Sequence, residues 1–376
     1  MSFIYRTRYV STHTLPLLSL SQVVVGVVVE SCGYSGGSGG LSPSLKEQQQ
    51  PRARLQRMES VPPVSRVAIF GGTHGDEMSG VCLVRHWLSD AGEVAAEISR
   101  PSFSSTPVMG NPRAVQHCTR YIDTDLNRCF THEQLAMEVK EDTPYETLRA
   151  QEINRLFGPK GSDKAFDFII DMHNTTSNMG NCLIVSNSAD IVVLHMARYM
   201  QDICKSAISP VFLNEMAGVE RCYASSVSKH GIGLELGPQP QGVARADVLI
   251  RMRKLVTTAL DFLHLFNTGH EFPAGSLEVC RVTERIDYPR DSHGNLTAVI
   301  HPDLQDRDWE PLHPGKPVFL TLDGATVPYK GPSVTIPAFI NEAAYYEKGL
   351  AFWATQREML HFPALRVDGQ ASQAHI

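Results

Sequence analysis

Val67-Ala68-Ile69-Phe70-Gly71-Gly72-Thr73-His74-Gly75-Asp76-Glu77 runs from an apolar segment straight into an imidazole and a carboxylate three residues apart, set among glycines. The apolar half reads as a buried strand, and His74-x-x-Glu77 reads as a pair of metal ligands. Two further runs end in the same way. Phe166-Asp167-Phe168-Ile169-Ile170-Asp171-Met172 closes on His173, and Ile232-Gly233-Leu234 closes on Glu235. Carboxyl ends of strands in an open α/β sheet line its ligand crevice, so these chemically loaded residues are expected to meet. Two histidines and one glutamate leave the fourth tetrahedral position of a zinc ion for water, the composition of a catalytic zinc site. The competing reading makes His74 a helix cap and His173 a satisfied core residue. It leaves Gly71, Gly72 and Gly75 without a purpose.

Working outward, strand-like runs alternate with helical stretches from Arg66 onward, the pattern of an α/β domain. Helices are expected over residues 80–89, 144–157, 190–206 and 244–266, the last with Val248, Leu249, Met252, Leu255, Val256, Leu260, Phe262 and Leu263 mostly on one face. After Gly269 the texture changes to short segments, 277–282, 297–300, 317–320 and 334–339, divided by Pro, Gly and Asp turn signals. The expected domains are therefore a disordered extension 1–60, a catalytic domain 61–268, a smaller β-rich domain 269–362 and a flexible tail 363–376. The first 57 residues hold an interrupted apolar run behind Arg6 and Arg8, then Gly/Ser and Gln/Arg patches. This stretch reads either as a signal peptide or as an extension upstream of a natural start at Met58, and the extension is the expectation.

Composition narrows the function classes. Lys plus Arg of 34 against Asp plus Glu of 40 gives a charge of −6, which argues against nucleic acid as a partner and for a small-molecule substrate. Eight cysteines without a C-x-x-C pair argue against a disulfide framework or a thiolate zinc site and for a reducing, cytoplasmic setting.

Asp171 lies two residues before His173 on the same strand face, placed either to orient that imidazole or as an ordinary strand-end acid. Glu235 is an isolated acid in an apolar strand, and a buried carboxylate needs a partner or a task. Its task would be general base, taking a proton from the attacking water and passing it to a leaving amine; the alternative is a buried salt bridge. Arg120-Tyr121-Ile122-Asp123-Thr124-Asp125-Leu126-Asn127-Arg128 gathers two planar guanidinium forks and an amide, groups that suit a substrate α-carboxylate. Composition alone would make it a solvated loop.

With these residues assembled, the chain resembles the aspartoacylase family, relatives of the zinc carboxypeptidases, over about residues 64–355. The resemblance rests on Gly71-Gly72-Thr73-His74-Gly75, Thr119-Arg120-Tyr121-Ile122-Asp123, Asp125-Leu126-Asn127-Arg128, Asp171-Met172-His173-Asn174-Thr175-Thr176, Gly237-Pro238-Gln239-Pro240-Gln241-Gly242 and Asn341-Glu342-Ala343-Ala344-Tyr345-Tyr346-Glu347-Lys348. It implies a zinc-carboxypeptidase-like α/β domain with a mixed central sheet flanked by helices, and a smaller β-rich C-terminal domain. It further implies one zinc per subunit on His74, Glu77 and His173, and Glu235 as catalytic base. Arg120 would stabilise the oxyanion, Asn127 and Arg128 would hold the α-carboxylate, and Tyr345 would reach the substrate from the C-terminal domain. A homodimer or homotetramer, cytoplasmic with peripheral plasma-membrane association, is implied as well.

Departures from the family pattern concern the side-chain pocket. Where aspartoacylases place an arginine ten residues before the catalytic glutamate, this chain has Ser225, and where they place a lysine after Tyr-Tyr-Glu-Lys it has Gly349. Without those cations a second substrate carboxylate would be desolvated unpaired. The pattern is therefore similar to the aminoacylase branch, which acts on N-acyl aromatic amino acids and N-acetylcysteine S-conjugates. Phe166, Phe168, Leu234 and Leu236 point the same way, while Arg221 could replace the missing arginine from another loop position. The expected activity is zinc-dependent hydrolysis of N-acyl amino acids, with action on N-acetylaspartate as the alternative. A carboxypeptidase and a turnover-free binding protein stand further off.

Overall fold

A computed structural model describes residues 58–89, 93–205 and 209–369. The expected N-terminal extension, apart from its last three residues, and the end of the expected tail lie outside the described residues.

Nine strands form one mixed sheet in the order β12-β13-β8-β6-β5-β7-β4-β2-β3. They are β2 (Arg66–Gly71), β3 (Ser104–Met109), β4 (Phe168–Asn174), β5 (Asn181–Val185), β6 (Val211–Leu213), β7 (His230–Leu236), β8 (Gly275–Ile286), β12 (Ile336–Ala338) and β13 (Phe352–Phe362). The pairs β3-β2, β2-β4 and β4-β7 are parallel, and β5 enters antiparallel beside β7. Because side chains alternate along a strand, β2 sends Val67 and Ile69 to one core and Ala68 and Phe70 to another. Both faces are covered, which is why these strands read as unbroken apolar runs. Helices Met78–Ser89, Ile191–Ile203 and Ala246–Asn267 bury the first face, and helix Tyr145–Phe157 buries part of the second.

The same alternation places the chemistry. On β4, Phe168, Ile170 and Met172 enter the first core, so Asp171 and His173 face the other way. On β7, Ile232, Leu234 and Leu236 do likewise, and Glu235 joins His173, its register partner, on the second face.

The C-terminal part is β-rich, as expected: β8, β13 and β12 continue the central sheet, and β9 (Ala298–Ile300), β10 (Pro317–Thr321) and β11 (Thr326–Pro328) form a separate three-stranded sheet. The expected tail begins as strand β14 (Ala364–Val367), which pairs in parallel with β1 (Met58–Val61), inside the stretch assigned to the extension. Leu365 and Val367 are buried in the main core, and that apolar alternation holds the pair. Among the described residues, no helix is long and apolar enough to cross a membrane.

Candidate metal centre and active site

The turn after β2 must fold back tightly to deliver His74 and Glu77. A Cβ on Gly71 would lie 2.4 Å from the Gly80 carbonyl oxygen, and one on Gly75 would lie 2.1 Å from the Ala114 carbonyl carbon. Only glycine permits these approaches. The helix that follows is anchored at its start by the Ser79 N–H, which donates to Asn174 Oδ1 at 2.9 Å.

Three buried side chains then converge. His74 Nδ1 lies 2.6 Å from one oxygen of Glu77, and His173 Nδ1 lies 2.9 Å from the other. One donor atom from each of the three falls within 4.8 Å of the rest. The outer nitrogens are also held: His74 Nε2 meets Asp125 at 3.1 Å and His173 Nε2 meets Asp171 at 2.9 Å. Two imidazoles presenting Nδ1, each braced by a carboxylate behind it, with one further carboxylate, form a donor set that fits zinc. Despite burial, the flanking imidazoles hold the Glu77 carboxyl below the usual carboxylate range.

The eight residues expected to bind metal or substrate or to catalyse line one cavity of about 720 Å³: His74, Glu77, His173, Glu235, Arg120, Asn127, Arg128 and Tyr345. Glu235 forms no salt bridge among the described residues. Burial pushes its carboxyl well above the usual range, and the nearby Glu77 adds to this. Arg120 reaches Glu77 at 3.2 Å and Asp125 at 3.3 Å, and its buried Nε has no hydrogen-bond partner among the described residues. Burial opposes the Arg120 charge, but Asp125 and Glu77 more than offset that. Asn127 is engaged at both ends of its amide: Oδ1 accepts from the Ala224 N–H at 3.0 Å, and Nδ2 lies 3.2 Å from His173 Nε2. The Arg128 guanidinium sits 5.7 Å over the Tyr223 ring and makes no ion pair among the described residues.

The remaining wall is largely apolar and aromatic, with Ile184, Phe212, Tyr223, Phe339, Leu350 and Trp353, alongside Ser225, Arg221 and Arg285. Three sequence hints about the pocket do not hold. Phe166 and Phe168 pack inside the domain, Leu234 and Leu236 face the main core, and Gly349 is not among the lining residues. Gly349 instead ends the turn Ala343–Lys348 at φ 60°, a conformation that favours glycine whatever the pocket requires.

The match to known proteins covers both halves of the chain. Residues 63–263 match the succinylglutamate desuccinylase/aspartoacylase catalytic domain, and residues 275–357 match the barrel-sandwich hybrid domain of the same family. This chain belongs to that family. Within it, an aspartoacylase from Danio rerio is 53% identical over 301 residues, 80% of this chain and 94% of that protein. A human N-acyl-aromatic-L-amino acid amidohydrolase (carboxylate-forming) is 50% identical over 303 residues, 81% of this chain and 94% of the relative. The crystal structure of murine aminoacylase 3 superposes with a TM-score of 0.79 at 48% identity, covering 82% of this chain and all of that one. Similarity is thus split between aspartoacylases and N-acyl-aromatic-L-amino acid amidohydrolases.

For this family member, single-sequence reading missed three partners. Asp125 stood out only as an acid in a charged loop, and nothing local ties it to His74, 51 residues away. Lys348 also contacts Asp125, and Glu342 accepts from Thr175 and from the Thr176 N–H, linking the C-terminal part to the metal-site strand. Glu342 and Lys348 lie within the motif that carries the resemblance, the one signal that could have pointed to them.

Proposed function

We propose that this protein is a zinc-dependent amidohydrolase that releases a carboxylate, usually acetate, from N-acyl amino acids, preferring aromatic side chains and S-conjugates of N-acetylcysteine. The observation that carries the reading is one cavity combining a His-Glu-His donor set, a buried Glu235 without an ion-pair partner among the described residues, and an aromatic wall that includes Ser225.

His74, Glu77 and His173 would hold the metal, which when bound supplies Lewis acidity and makes water a stronger nucleophile near neutral pH. Glu235 takes the proton from the attacking water and delivers it to the leaving amine nitrogen. Arg120 donates to the carbonyl oxygen as charge develops there, a contribution typically worth a few kcal/mol. Arg128, with Asn127 beside it, offers the planar fork for the substrate α-carboxylate. Tyr345 closes on the acyl amino acid from the C-terminal part. By family resemblance the working particle is a homodimer or homotetramer in the cytoplasm.

A second reading, action on N-acetylaspartate, is favoured by one observation: Arg221 and Arg285 line the same cavity without a carboxylate partner among the described residues. The two are separated by kcat/KM of the zinc-loaded protein on N-acetyltyrosine and N-acetylaspartate. The proposal expects at least a ~10-fold preference for the aromatic substrate. Preference for N-acetylaspartate would overturn it and assign the second carboxylate to these arginines.

A further inference from the structure

Resting on the functional reading above, a further residue bears on side-chain selectivity. Phe339 lines the cavity, with its ring 5.4 Å from Phe212 and 5.6 Å from Tyr345. It stands in an unusual backbone: Phe339 and Asn341 have φ of 58° and 59°. Bulky residues enter this left-handed region only where their surroundings over-determine it, and such outliers cluster at ligand sites.

This turn is held from several sides: the Asn341 N–H donates to the Ala351 carbonyl at 3.0 Å, and Ser177 Oγ donates to the Ile340 carbonyl at 2.9 Å. Among the described residues the Phe339 N–H meets a thioether, Met179 Sδ at 3.1 Å, a weak acceptor. Asn341 is tied by side-chain bonds to Gln305 and Tyr288. Between them, the Ile340 N–H donates to Asp308 Oδ1 at 2.9 Å, a carboxylate contact on this backbone. Asp308 is 6% exposed, and its other oxygen has no hydrogen-bond partner among the described residues. Its neighbour Trp309, itself at φ 70°, locks the loop through its backbone N–H to the Pro337 carbonyl and its indole N–H to the Met179 carbonyl. Burying a carboxyl is costly unless backbone donors meet it, and beside the Asn178 N–H and its own, the Ile340 N–H is the donor that ties Asp308 to the cavity-wall turn.

We propose that Asp308 is a positioning residue for substrate selectivity: by holding the Ile340 N–H it keeps the 339–341 turn left-handed and the Phe339 ring on the cavity wall. Asp308→Ala removes the acceptor, whereas Asp308→Asn keeps a carbonyl in its place. The measurement is the ratio of kcat/KM for N-acetyltyrosine over N-acetylalanine, with bound zinc quantified for each variant. The expected result is an about tenfold fall of that ratio in Asp308→Ala, carried mainly by KM, and its recovery in Asp308→Asn. An unchanged ratio, with or without a parallel loss on both substrates, would reduce Asp308 to a structural role and overturn the proposal. Should Asp308→Ala not fold, Phe339→Ala decides: it must lower the ratio in the same way, and failure to do so is equally fatal. Wild-type protein that turns over neither substrate would fail the functional reading before any variant is compared.

Discussion

The buried acid at position 235 is the residue on which the chemistry turns. It sits beside His173 on the adjacent strand, lacks an ion-pair partner among the described residues, and is displaced upward in pKa by its burial. A carboxyl tuned in that direction suits a base that later returns its proton. Replacing Glu235 with Gln keeps the shape and removes the basicity. Turnover is expected to fall by ~10²-fold or more, because general-base contributions have that size, while zinc content stays at the wild-type level. Metal analysis alongside the rate separates the outcomes. Near-normal turnover would remove Glu235 from the mechanism, and lost zinc would make it a structural support of the metal site.

At the level of elements, the turn between β2 and its helix does two jobs: it carries two ligands, and it lets the helix start against the sheet. The helix start needs the close approach of Gly71 to Gly80, and the ligand turn needs that of Gly75 to Ala114. The Cβ of an alanine there would overlap the Ala114 carbonyl carbon and stand 2.3 Å from its oxygen. Neither atom belongs to a flexible side chain, so the loop must shift. Overpacking of this kind costs about 1–3 kcal/mol or more, and the displaced segment includes His74. Gly75→Ala is expected to lower the melting temperature by several degrees and to weaken zinc binding, as seen by thermal unfolding and chelator competition. A variant that melts and binds zinc like the wild type would show that the turn tolerates the methyl group and that the glycine is incidental. The sequence already carried this element, because glycines flanking a His-x-x-Glu after an apolar run have no simpler explanation. It could not reveal that Asn174 anchors the helix start, since that contact spans 95 residues.

Across the whole molecule, what was legible and what was not divide along the same physical line. Strands buried on both faces announce themselves as apolar runs, and residues that break such runs with charge are conspicuous, which is how His173 and Glu235 were found. Pairings between distant segments leave no local trace: β1 with β14, β5 entering antiparallel, and the 301–316 loop bracing the cavity wall all depend on contacts far apart in the chain. Asp308 shows how such a hidden contact couples the fold to pH. Its carboxyl ionises near ~3.9 in an unfolded chain. In the folded protein burial pushes it up to about 7. Between those values the native state binds the extra proton, so this group's stabilisation is complete below pH ~4 and is lost as pH rises toward 7. At ~1.4 kcal/mol per pKa unit the loss amounts to a few kcal/mol at most. Asp308→Asn cannot titrate, so the difference in unfolding free energy between wild type and variant should shift in favour of the variant from pH 5 to pH 7.5. Urea denaturation at both values measures this, and taking the difference cancels the other titrating groups. A difference that stays constant would mean that Asp308 is already ionised in the native state at pH 5, and that its unpaired oxygen is better solvated than its burial implies.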